Sequence, residues 1–166
     1  MKGQLKQIGI ALAILVCAAA LVIGGYLWIS RPVSFSSMFP IAAQDISFCH
    51  VTLHTLSEED MEDQTGTLTQ EQTEELLLRL STGEYRLDAP SLFFSGNKVR
   101  ITISPYAILH FSQEDGSLGE LTLAGDHIRV ISPTSSSRSR LYTPEGGASF
   151  QKEIVGYLQS CLSPTS

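Results

Sequence analysis

Residues 106–131 read YAILHFSQEDGSLGELTLAGDHIRVI, and this stretch decides the fold. Three short apolar runs, Tyr106–Phe111, Leu118–Leu123 and His127–Ile131, are separated by Asp115-Gly116 and Gly125-Asp126. Such pairs tolerate the backbone of tight turns, and turns this close leave no room for a crossover helix. The stretch therefore predicts an antiparallel meander. Just upstream, Val99, Ile101 and Ile103 alternate with Lys98, Arg100 and Thr102 and predict one more strand. Pro105 must then sit at a strand end or bulge.

Working outward, Asp45–Leu56 alternates apolar and polar residues and predicts a strand, while Ser57–Gly66 reads as an acidic loop. Thr69 with Gln72 three residues on forms a capping box, so a helix is predicted over 70–81. Leu76, Leu77 and Leu80 supply its apolar face, and Gly83 lies just past its end. Glu71, Glu74 and Glu75 fall in its early turns, where carboxylates complement the helix dipole. Tyr85–Leu87 is a short apolar run before Pro90. Ser132–Ser139 is a polar loop, Arg140–Thr143 a short last strand, and Ala148–Leu162 an amphipathic closing helix. Strand, helix, several strands, helix is not the alternation of a parallel sheet. The expected fold is α+β: one antiparallel sheet with two helices packed on one face.

The succession of Thr69-x-Glu71 opening a leucine-rich helix, Tyr85-x-Leu87, Pro90, Asp115-Gly116, Gly125-Asp126-His127-Ile128, Tyr142 and a final helix resembles small extracytoplasmic domains of Gram-positive bacteria. Those domains hang from lipoprotein anchors or single membrane helices. The resemblance covers residues 46–162, implies location and fold, and carries no catalytic residue across.

The N-terminal region supplies such an anchor. Of the 22 residues Ile8–Ile29, 19 are apolar and the others are Gly9, Gly24 and Gly25. As a helix they would run about 33 Å, enough for a hydrocarbon core of about 30 Å. Lys2 and Lys6 precede the segment and only Arg31 closely follows it, so the positive-inside rule puts the N-terminus in the cytoplasm. Tyr26 and Trp28 suit the outer interface. A cleaved signal peptide would end at small residues such as Ala18-Ala19-Ala20, yet Leu21, Val22 and Ile23 continue the apolar run. Cys17 follows Ile14-Leu15-Val16, which is a poor lipoprotein site. The organisation expected is a cytoplasmic stub over 1–7, a transmembrane helix over 8–29, a linker over 30–44 and an extracytoplasmic domain over 45–166. Gly9, Ala13, Cys17, Ala20 and Gly24 place small residues on one side of the span, a pattern that admits helix pairing and a homodimer.

Beyond Arg31 there are eight cations against 17 acids, a net charge of −9, which argues against nucleic-acid binding. Eight acids lie between Glu58 and Glu75, and six cations between Arg86 and Arg140. Lys98, Arg100, Arg129, Arg138 and Arg140 form a candidate anion-binding set if the meander lines them up on an exposed sheet face. Routine solvation is the competing account. Cys49 and Cys161 are the thiols outside the span, and their phases admit either a disulfide or two buried free thiols.

Signals for chemistry are sparse. His50 and His54 lie four apart on a predicted strand, about 13 Å, too far to share an ion. His110 and His127 occupy different strands. The chain lacks HExxH, GxSxG, SxxK, a phosphate-binding glycine loop and the ligand spacing of a calcium loop. Neither a cofactor nor a metal is expected. The expectation is a non-catalytic binding or accessory protein whose partners are the bilayer and an envelope protein or anionic polymer. A hydrolase without a recognisable motif, and a subunit acting through its membrane helix, are the alternatives.

Overall fold

The computed structural model describes residues 2–56, 61–88, 105–132 and 139–163. The chain separates into two units, Met1–Arg31 and Pro32–Ser166. The first is one helix, α1 (Lys2–Ile29). Its stretch Gly9–Ile29 is long and apolar enough to cross a membrane and has none of its surface buried by the rest of the protein. The Arg31 guanidinium lies 4.4 Å over the Trp28 ring.

The second unit contains an eight-stranded antiparallel sheet. In chain order its elements are β1 (Pro32–Ser34), α2 (Phe35–Met38), β2 (Ile46–Leu56), β3 (Met61–Leu68), α3 (Gln70–Ser81), β4 (Glu84–Leu87), β5 (Tyr106–Gln113), β6 (Leu118–Ala124), β7 (His127–Ile131), β8 (Arg140–Pro144) and α4 (Gly147–Leu162). The strands lie in the order β1-β4-β8-β7-β6-β5-β2-β3. The α+β class and the meander β5-β6-β7-β8 are as the sequence predicts. The expected strand around Val99–Ile103 lies outside the described residues.

Local chemistry sets these elements. Thr69 caps α3 by accepting from the Gln72 amide while Gln72 Oε1 accepts from the Thr69 amide, so both halves of the capping box are made. Gly116 and Gly125 turn the β5-β6 and β6-β7 hairpins with φ of 80° and 65°, a region costly for any residue bearing a Cβ. At the first hairpin Asp115 Oδ1 accepts from the Ser117 amide at 2.8 Å, and these Ser117 hydrogen bonds hold the carboxyl below its usual range.

One face of the sheet carries the core. Cys49, Val51 and Leu53 of β2, Leu109 and Phe111 of β5, Leu121 and Leu123 of β6, and Ile128 of β7 are fully buried. They share one apolar cluster with Leu76, Leu77 and Leu80 of α3 and Ile154, Val155 and Leu158 of α4. Three side-chain bonds to backbone carbonyls fix the helices. Tyr85 Oη donates to Leu80 at 2.5 Å, Tyr157 Oη to Gln72 at 2.9 Å, and Gln151 Nε2 to His127 at 2.5 Å.

Two expectations change. Residues 30–44 are not a linker: β1 pairs with β4, and Phe35, Met38 and Phe39 are buried in the core. The acidic loop expected over 57–66 is partly strand, since β3 pairs with β2 from Leu56↔Met61 to Cys49↔Leu68. The positions of β3 opposite Leu53 and Val51 are Gln64 and Gly66, which hides the apolar alternation. Gly66 is small for a reason: a Cβ there would stand 2.6 Å from Leu162 Cδ2 of α4.

Burial pushes the Cys49 thiol up from 9.0 to about 12, and burial also raises Tyr85. Both groups are held neutral in the folded state, so their contribution is present below the unfolded value and lost as pH rises through the folded one. Folding stability of residues 32–166 should therefore fall between pH 9 and 12, by about 1.4 kcal/mol per pH unit for Cys49 alone. Urea titrations across that range should show a shallower fall in Cys49→Ala. An unchanged slope would remove the thiol as a cause.

Candidate functional site

The opposite face of the sheet gathers most of the chemistry-bearing side chains. Alternation sends Cys49, Val51 and Leu53 inward, so His50, Thr52 and His54 point outward, and register does the same on the neighbouring strands. Three lateral rows result. His50 is flanked by Thr67 on β3 and His110 on β5, and His110 by Glu120 on β6. Thr52, Ile108, Thr122 and Arg129 form the second row. Asp63, His54, Tyr106, Ala124 and His127 form the third.

Most of the ionisable groups in these rows are paired. His54 Nδ1 lies 2.5 Å from Asp63 Oδ1, and its ring stacks on Tyr106 at 4.1 Å and 17°. Desolvation, then the Asp63 carboxylate, raises the Tyr106 phenol. Arg129 forms an ion pair with Glu120 and donates to Thr122 Oγ1 at 3.3 Å. His50 Nδ1 lies 3.4 Å from Thr67 Oγ1, and His110 Nδ1 lies 3.8 Å from Glu120 Oε2. His127 pairs with Asp126.

Of the anion-binding set, only Arg129 and Arg140 fall within the described residues, and these two do not share a row. Lys98, Arg100 and Arg138 lie outside the described residues. Arg129 is opposite Leu141, whereas Arg140 is opposite the inward-facing Val130, so the two belong to different faces. The Arg129 charge is moreover neutralised by Glu120. Consecutive residues on adjacent paired strands cannot share a face unless register matches their parity, and here it does not.

Cys49 and Cys161 are both free thiols. Cys49 sits in mid-sheet between its register partners Leu68 and Phe111, while Cys161 interacts with the Tyr157 hydroxyl. The Tyr157 hydroxyl is turned toward α3, which draws that end of the α4 surface to the helix pair. In α1, Ala13, Cys17, Ala20 and Gly24 are exposed, and a Cβ added at Gly9 or Gly24 would meet nothing within 4 Å.

A second concavity lies on the helices. An open groove of about 630 Å³ is lined by Glu71, Gln72, Glu74, Glu75, Leu78 and Tyr157. Arg79 forms an ion pair with Glu75 at 2.8 Å, donates to Glu153 Oε1 at 3.4 Å and stacks over Tyr157 at 4.8 Å. The Tyr157 phenol is raised, first by desolvation, then by Cys161 and Glu75 against the opposing pull of Arg79. The lining has neither a serine nor a cysteine nucleophile. Among the described residues, no three His, Cys, Asp or Glu side chains are placed to hold a metal ion together.

Sequence reasoning missed the His50–His110 juxtaposition, because β2 and β5 are far apart in the chain and their register is set by the whole sheet. Comparison with protein-family models, with curated proteins and with solved structures finds no match to this chain.

Proposed function

We propose that this chain is a single-pass membrane protein that holds an α+β domain outside the cytoplasm and works there by binding, as an accessory or recognition module. The uncharged helix Gly9–Ile29 carries this reading, because among the described residues none of its apolar side chains is buried. A helix apolar on all sides needs lipid or a helical partner. The resemblance to anchored extracytoplasmic domains and the Lys2/Lys6 bias support the same placement. On this reading α3 and α4 both pack on the inner sheet face, and the outer one receives the partner. An anionic envelope component is one such partner. Lys98, Arg100 and Arg138 carry that version, since Glu120 occupies Arg129. Helix pairing through Gly9, Ala13, Cys17, Ala20 and Gly24 is the remaining route to an assembly.

Alkaline extraction tests the anchor. The full chain should stay entirely with the membrane pellet, and residues 32–166 expressed alone should be recovered in the supernatant. Recovery of the full chain in the alkaline supernatant would end the proposal. The same soluble domain should float with anionic vesicles more than with zwitterionic ones, and Lys98→Glu with Arg100→Glu should abolish the difference. Equal flotation would confine the partner to protein.

A further inference from the structure

The outer sheet face places two imidazoles directly opposite each other on adjacent antiparallel strands: His50 of β2 is the register partner of His110 of β5. We propose that His50 and His110 form a binding site for a borderline-soft divalent transition metal such as Zn²⁺ or Cu²⁺, with both Nε2 atoms as ligands and water completing the coordination. The inference does not depend on the membrane anchor.

Four observations converge on it. Residues directly opposite in an antiparallel pair hold their Cβ atoms about 4.5–5.5 Å apart, within reach of one ion for two imidazoles needing metal–nitrogen distances of about 2.0–2.1 Å. Neither imidazole contributes to the core, and the His110 side chain is 47% exposed. Each Nδ1 is already turned toward an oxygen on the far side of its strand. His50 Nδ1 faces Thr67 Oγ1 on β3 at 3.4 Å, and His110 Nδ1 faces Glu120 Oε2 on β6 at 3.8 Å. A metal-ligating histidine typically donates its other N–H to such an oxygen, which fixes the tautomer and leaves Nε2 with a lone pair. Finally, the adjoining charges cancel. Glu120 pairs with Arg129, so among the described residues the nearest guanidinium is neutralised and does not repel a cation at the two rings. His54 stands apart: it lies four residues from His50 along the strand, about 13 Å away, and its Nδ1 is held by Asp63.

The test titrates the full chain in detergent micelles with Zn²⁺ alone, read by competition with a chromophoric chelator, and repeats it with Cu²⁺. One ion per chain should bind in the micromolar range. His50→Gln and His110→Gln should each weaken binding about tenfold or more, Thr67→Val severalfold, and His54→Gln not measurably. Affinity should fall at acid pH, because protons compete with the ion for the ligands. Thermal unfolding of the apo variants should be unchanged, which separates ligand loss from misfolding. Binding that survives both His50→Gln and His110→Gln, or no binding at all, overturns the site. Loss with His54→Gln alone would overturn it equally.

Discussion

A chain that begins at Pro32 should unfold cooperatively in urea, whereas one that begins at Asp45 should show no cooperative transition. Residues 32–44 look dispensable in sequence, broken by Pro32, Pro40 and a run of serines. They nonetheless put Phe35, Met38 and Phe39 into the core at 4%, 5% and 0% exposure. The Phe39 ring packs 5.1 Å from Phe111 of β5, and Phe35 lies 6.0 Å from Tyr85 of β4, so the segment bridges two separated strands of the sheet. Burying each such side chain is worth about 1.5–3 kcal/mol, so losing all three removes about 5–9 kcal/mol. That is as large as the whole stability of many domains of this size. The truncation also removes β1 from Tyr85 and its neighbours, leaving β4 as the sheet edge. Phe39→Ala in residues 32–166 gives a milder version, expected to cost about 3–5 kcal/mol because the ring is wholly enclosed. Coincident urea curves for chains beginning at Pro32 and Asp45 would refute the assignment of this segment to the domain.

Some of this architecture is legible in sequence, and the reason differs element by element. Helix α3 is legible because its start is written locally: Thr69 and Gln72 satisfy each other's backbone whatever the rest of the chain does. The meander is legible because Gly116 and Gly125 force turns between runs of alternating residues. Strand β3 is hidden because the positions opposite Leu53 and Val51 are Gln64 and Gly66, the latter close beneath Leu162 of α4. Phe35, Met38 and Phe39 are hidden because a four-residue helix has no periodicity to detect. At the start of β2, a register shift between Ile46 and Phe48 breaks the alternation, so Ile46 is buried while Phe48 is 48% exposed.

The outer face was the least legible, for a reason that is physical. Whether two side chains on different strands meet depends on register, and register is a property of the assembled sheet. His50 and His110 are 60 residues apart in the chain, yet they are direct partners. Arg129 and Arg140 are close in sequence and fall on opposite faces. Sequence spacing thus grouped Arg129 with Arg140 and concealed an imidazole pair.

Orientation in the membrane is the second large effect. A cysteine placed at the exposed Asp115 turn, in a Cys161→Ala background, should react almost completely with a membrane-impermeant maleimide in intact cells. The other two native thiols are poor competitors, since Cys49 is fully buried and Cys17 lies within Gly9–Ile29. In the proposed orientation, Lys2 and Lys6 keep the N-terminus inside. Carrying a cation outward against a membrane potential costs about 2.3 kcal/mol per 100 mV, so the two lysines oppose inversion by roughly 5 kcal/mol. Arg31 alone offers half of that in return. Replacing both lysines by Gln removes that opposition and leaves Arg31 as the only charged side chain flanking the span, so labelling in intact cells should drop substantially. Permeabilised cells should label fully in every case, which separates inversion from loss of the protein. Labelling that appears only after permeabilisation in the unaltered sequence would place the domain in the cytoplasm. The anchor would survive that result, and the extracytoplasmic binding role would not.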